Sequence, residues 1–187
     1  GNGYSDEWPA EAERRGLANN RTTADALPAY VAEKSIKLFE EFNVLTEVEA
    51  RSRYEVKLEK YTKLMNIEVR TMTRRTFLPA INKYATLVAN EINEMKAACA
   101  GIDTSVQDQL LNTVVDGIKE INDALNELHA AHLAIRDLTD EQEKANKYAH
   151  EIVPMMERLR AGVDAMEIVV AQDLWPVPTY NDILFYC

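Results

Sequence analysis

The sequence predicts an all-α fold, an elongated antiparallel helical bundle with one long kinked helix. Three observations carry this. Apolar residues recur at steps of three and four along most of the chain, the spacing that lines one face of a helix. Six glycines and six prolines in 187 residues are too few for a loop-rich or all-β protein. The stripes are separated by short turn and cap signals of about two to five residues, which sets neighbouring helices antiparallel.

Residues 1–22 are mixed and polar. Asn2-Gly3 is turn chemistry, because both residues tolerate positive φ. A short helix follows Pro9 and stops at Gly16. Thr22 or Thr23 caps the next entry. From Pro28, a favourable first-turn residue, Val31, Ser35, Leu38 and Phe42 mark a helix ending near Asn43, too short to be stable undocked.

The longest run extends from Thr46 to about Cys99. It opens with a capping box, in which the Thr46 hydroxyl and the Glu49 carboxylate each accept from the other's backbone amide. Its stripe reads Tyr54, Leu58, Tyr61, Met65, Val69, Met72, then Phe77, Ile81, Tyr84, Val88, Ile92, Met95, Cys99. Between Met72 and Phe77 the step is five, so the stripe slips by one position. Pro79 follows, where its ring clashes with the carbonyl of Arg75 and removes a backbone hydrogen bond. Slip and proline agree on a bend at residues 73–79, with Pro79 a candidate hinge.

A turn at Gly101–Asp103 and a cap at Thr104 or Ser105 open the next helix. Its stripe is Val106, Leu110, Val114, Ile118, Ile121, Leu125, Leu128, His132 and Ile135, widened by Leu111 and Val115. Thr139 and Gln142 form a second capping box. The last helix carries Tyr148, Ile152, Leu159, Val163, Met166 and Val170, with a bend at Pro154. Trp175-Pro176-Val177-Pro178 then enforces extended backbone, and an aromatic, non-helical tail follows that must dock on an apolar surface. Trp8, Trp175, Pro176, Pro178 and Tyr180 are the candidate docking residues.

The formal net charge is -10, which disfavours nucleic acid as a partner. Arg70, Arg74 and Arg75 are the best basic patch. Glu68 and Glu59 nearby make them a solvated or ion-paired helix face. No stretch approaches the roughly 18 apolar residues of a membrane span. Two cysteines, Cys99 and Cys187, make no disulfide framework and suit a reducing cytoplasm. The chain opens without an initiator methionine, as a piece of something longer would.

Catalytic and metal-binding patterns are missing. His129 and His132 lie three apart, but neither His-Glu-x-x-His nor the Glu-x-x-His pair of di-iron bundles accompanies them. They read as packed or interface histidines. Neither cysteine sits where a helix N-terminus would stabilise a thiolate, and no glycine-rich phosphate loop occurs. The catalytic and metal assignments are therefore none.

Several longer motifs carry a resemblance. Gly1-Asn2-Gly3-Tyr4-Ser5-Asp6-Glu7-Trp8 with Arg14-Arg15-Gly16-Leu17 is similar to a segment late in type III glutamine synthetases. Ala26-Leu27-Pro28, Glu33-Lys34-Ser35-Ile36, Ser52-Arg53-Tyr54-Glu55 and Ile67-Glu68-x-Arg70-Thr71-Met72 continue it. Trp175-Pro-x-Pro-x-Tyr180-x-Asp182-Ile-Leu-Phe185 closes it. The resemblance implies that residues 1–45 close the synthetase catalytic domain and that residues 46–187 form the helical C-terminal extension of the type III enzymes. It implies a structural or assembly portion, not catalytic alone, of an ATP-dependent glutamate–ammonia ligase using ATP and Mg or Mn. The implied partners are the rest of the catalytic domain and sister subunits of a homo-oligomer in the cytoplasm, with no nucleic acid and no membrane. The alternative from another class is a free-standing helical module that binds partner helices.

Overall fold

A computed structural model describes residues 5–64, 68–178 and 180–185, the side chains at 64, 68–69 and 180–181 excepted. Every regular element among the described residues is helical, as the stripes predict. In order they are α1 (Trp8–Arg14), α2 (Thr23–Tyr30), α3 (Glu33–Glu41), α4 (Glu47–Leu64), α5 (Glu68–Met72), a π-helical turn (Thr73–Phe77) and α6 (Leu78–Ala98). There follow α7 (Ser105–Arg136), α8 (Glu141–Lys147), a second π-helical turn (Tyr148–Ile152), α9 (Val153–Glu167), a 3₁₀ turn (Gln172–Leu174) and α10 (Tyr180–Leu184). They form two compact units, 1–66 with 138–150 and 67–137 with 151–187.

In the first unit α2, α4 and α8 pack together, with α3 against α4. Gly16 stops α1 at φ +69°, in the left-handed region where glycine is at no disadvantage. Thr22, not Thr23, caps α2, accepting from the Asp25 amide at 3.1 Å. The helix from Pro28 to Asn43 proves to be two. Val31 and Ala32 leave helical geometry, and the Ser35 hydroxyl donates to the Ala29 carbonyl at 2.8 Å, satisfying a group that α2 leaves open at its end. Pro28 is inside α2 rather than in a first turn. Lacking an N–H, it leaves the Ala24 carbonyl without its partner four residues on. Gln142 Nε2 donates to that carbonyl instead, at 2.9 Å. The capping box predicted for Thr139 with Gln142 does not form, because the N-cap falls one residue later. Asp140 caps α8, accepting from the amides of Gln142 and Glu143. The Thr46–Glu49 box forms in full, with the Thr46 amide donating to Glu49 at 2.9 Å and the Glu49 amide to Thr46 at 3.3 Å.

The second unit sets α7 between α6 and α9. Ile81, Val88 and Ile92 of α6 are buried, as are Val114, Ile121, Leu125, Leu128 and Ile135 of α7 and Leu159, Val163 and Met166 of α9. Gly117 and Gly162 let α7 and α9 approach. A Cβ at Gly117 would fall 2.4 Å from Met166 Sδ, and one at Gly162 would fall 3.2 Å from Ile121 Cγ1. The five-residue step in the stripe is the extra residue of the first π turn, whose closing bond runs from the Leu78 amide to the Thr73 carbonyl, five residues back. Pro79 lies just beyond it, in the first turn of α6, where a missing N–H is tolerated. Pro154 stands in the same relation to the second π turn.

Three expectations need correction. Cys99 is exposed beyond the end of α6, because the chain leaves helical geometry there. Val106 and Val115 are exposed, at 73% and 50%, so the stripe of α7 is narrower at its start than predicted. The tail is not wholly irregular: past the prolines it turns back into the short helix α10. Asn2-Gly3, Met65 and the side chain of Val69 lie outside the described residues.

Candidate docking surface

The C-terminal strap of the second unit starts where α9 ends. The 3₁₀ turn is closed by the Leu174 amide donating to Ala171 at 2.9 Å and the Trp175 amide to Gln172 at 3.2 Å. Trp175, the residue before Pro176, is held extended at φ −73°, ψ 125°. That conformation turns its indole inward, where it is 9% exposed. The ring meets Phe77 at a centroid distance of 5.3 Å and a 35° tilt, a favourable aromatic contact. Phe77 is the last residue of the first π turn, two before Pro79, so Trp175 is anchored beside the candidate hinge. Its Nε1–H is buried with no acceptor in reach among the described residues, which costs about 1–3 kcal/mol.

The other candidates divide. Pro176 and Pro178 are exposed and line a shallow groove with Trp175, Val177 and Asp173. Pro79 is exposed. Trp8 opens α1 of the first unit and is half-buried. The backbone of Tyr180 opens α10, while its side chain lies outside the described residues. Sequence reasoning did not single out the end of α10, where Ile183, Leu184 and Phe185 are 62%, 70% and 71% exposed. The three consecutive apolar residues were visible, but their lack of cover was not.

The histidines carry packing rather than ligation. Arg70 Nη1 contacts His129 Nδ1. A guanidinium can only donate, so Nδ1 is the acceptor of this contact. Among the described residues Arg70 thus meets an imidazole, while Glu59 pairs with Lys63. His132 is half-buried, and burial first, then Arg70, Arg136 and His129, push its pKa below the ordinary value of 6.5. His150 meets Asp25 at 2.8 Å in the first unit. No group of three or more His, Cys, Asp or Glu among the described residues could hold a metal ion. No helix among the described residues is long and apolar enough to cross a membrane.

The model of the glutamine synthetase C-terminal domain matches residues 1–96, just over half of the chain. The chain belongs to this family. The C-terminal-domain chain is also 31% identical over 188 residues to a glutamine synthetase of Butyrivibrio fibrisolvens and 32% identical over 192 residues to a type-3 glutamine synthetase of Dictyostelium discoideum. A glutamine synthetase of Bacteroides fragilis is 29% identical over 196 residues. Each similarity covers 99% of this chain but only 26–27% of the relative. The chain therefore spans about a quarter of the length of these curated relatives.

Proposed function

We propose that the chain is the C-terminal structural portion of a type III glutamine synthetase, a cytoplasmic homo-oligomer condensing glutamate with ammonia at the expense of ATP. The observation that carries the reading is the similarity to the type-3 enzyme over 99% of this chain. In this reading ATP and Mg or Mn are cofactors of the longer polypeptide, with no residue of this portion assigned to them. The role of this portion is to complete the back of the catalytic domain and support contacts between subunits, with the Trp175 strap as one docking element.

The first test is an immunoblot of source-cell extract with antibody against residues 46–187, followed by a synthetase assay on the reactive species. A band several-fold larger than 21.2 kDa with glutamine synthetase activity is the expected result. A band near 21.2 kDa would overturn the reading in favour of a free-standing module. For the strap, Trp175→Ala with Tyr180→Ala in the longer enzyme should lower its thermal stability or its oligomer mass. Both unchanged would remove the docking role.

A further inference from the structure

The first unit leaves one apolar face without cover. Helix α3 buries only Ile36 of its nine residues. Leu38 and Phe42, four apart and so on one side of the helix, are 51% and 67% exposed. The chain then reverses through Asn43 at φ +54°. The Val44 amide bonds the Phe39 carbonyl at 2.8 Å and the Asn43 amide bonds Glu40 at 3.1 Å, the paired bonds of a Schellman turn. The turn fixes Val44 at 62% exposure, and Val48 in the first turn of α4 is 78% exposed. Side chains of this size at these exposures present on the order of 400 Å² of apolar surface, a patch large enough to mark an interaction site.

We infer that this patch is covered, within the same subunit, by polypeptide preceding residue 1. The inference rests on the reading of the chain as part of a longer synthetase. Three observations select that occupant over a second copy of this surface. The patch is about half of the ~800 Å² that each partner gives a standard interface. It is rimmed by the exposed carboxylates Glu40, Glu41 and Glu49 in a chain of net charge -10. A self-complementary contact would set this rim against itself. Finally, the buried cluster around α2, α4 and α8 has three alanines, Ala24, Ala145 and Ala149, beside Leu27 and Leu58, so further apolar cover would stabilise the unit. The covering segment is apolar at its centre and carries lysine or arginine opposite the glutamates.

The test places a photo-cross-linker at residue 42 of the longer natural polypeptide (Phe42→p-benzoylphenylalanine), with Ile168, 87% exposed, as the control position. The expected product runs at single-subunit mass under denaturing conditions, and its cross-linked peptide joins residue 42 to a segment before residue 1. A product of twice that mass, or the absence of any cross-link as at residue 168, overturns the inference. Independently, Val48→Asp should lower the melting temperature of the longer polypeptide by several degrees, while Val106→Asp in the second unit should not. Equal effects would also overturn it. Synthetase activity is assayed in the same samples. An active enzyme without the cross-link defeats only this inference, and a cross-linked but inactive protein defeats only the proposed function.

Discussion

The first unit is laced by side-chain hydrogen bonds between helices around an alanine-rich core, whereas the second is held by interdigitated aliphatic stripes. In the first, Gln142 spends every hydrogen-bonding group within reach. Its Oε1 accepts from the Tyr54 hydroxyl at 2.7 Å, and its Nε2 donates to Ala24 at 2.9 Å and to Asn146 at 2.8 Å, joining α2, α4 and α8. Thr62 donates to Glu141 at 3.1 Å and Asp25 meets His150 at 2.8 Å. In the second, Ile81, Ile121, Leu125, Leu128, Ile152 and Leu159 are fully buried. One chain thus uses directional contacts where its core is poor in volume and non-directional burial where it is rich.

The largest expected effect lies in the aliphatic unit. Leu128→Ala should destabilise it by about 2–5 kcal/mol, since a cavity remains among side chains that cannot collapse. Leu58→Ala in the first unit should cost less, its neighbours being alanines and adjustable tyrosines. Equal losses by hydrogen exchange resolved to the two units would break the contrast.

Next comes the clasp. Gln142→Ala should cost about 1–3 kcal/mol by leaving the Ala24 carbonyl and the Tyr54 hydroxyl unpaired. Pro28→Ala supplies a backbone N–H to that carbonyl. In a double-mutant cycle the loss from Gln142→Ala should therefore shrink in the Pro28→Ala background. Strict additivity would show that the glutamine does not replace the proline's missing donor.

The units should also differ in their response to acid. The lowered pKa of His132 means the unfolded chain binds the proton first. Its contribution is complete above about 6.5, the ordinary value, and is lost as pH falls from there through the folded pKa. Asp25 is depressed by the Thr22 hydroxyl, then by His150, so its contribution is complete above 3.8 and lost only at lower pH. Protection from hydrogen exchange in α7, corrected for the intrinsic pH dependence of the amides, should fall as pH drops below 6.5 while that in α2 holds, and His132→Gln should remove the difference. The smallest effect is expected for Gly162→Ala. The gain of up to about 1 kcal/mol in helix propensity is set against a 3.2 Å contact with Ile121 Cγ1. A urea titration should place this variant within about 0.5 kcal/mol of the parent.

What could be read from the chain was local. The Thr46–Glu49 box, the Gly16 stop, the stripes of α6, α7 and α9, and the misplaced step before Phe77 all depend on residues within a turn or two of one another. Pro28 inside α2 was illegible because its compensation comes from Gln142, 114 residues further on (142 − 28). The predicted Thr139 cap failed for a local reason, since Asp140 takes the N-cap position one residue later. Among the site residues, the inward turn of Trp175 follows from the proline after it, yet its contact with Phe77 depends on tertiary packing that no spacing encodes. The uncovered faces at Phe42 and Phe185 were illegible for the opposite reason, since a stripe reveals that a residue is apolar but not that its cover is missing.

The two π turns have a bearing on how such a chain can change over generations. A π turn is an α-helix that has accepted one residue too many, and each here is followed, one residue later, by a proline. Deleting a single residue from Thr73–Phe77 would restore ordinary winding and swing Glu68–Met72 about 100° around the axis of α6. Arg70 would then leave His129, so the extra residue fixes which face of α5 meets α7.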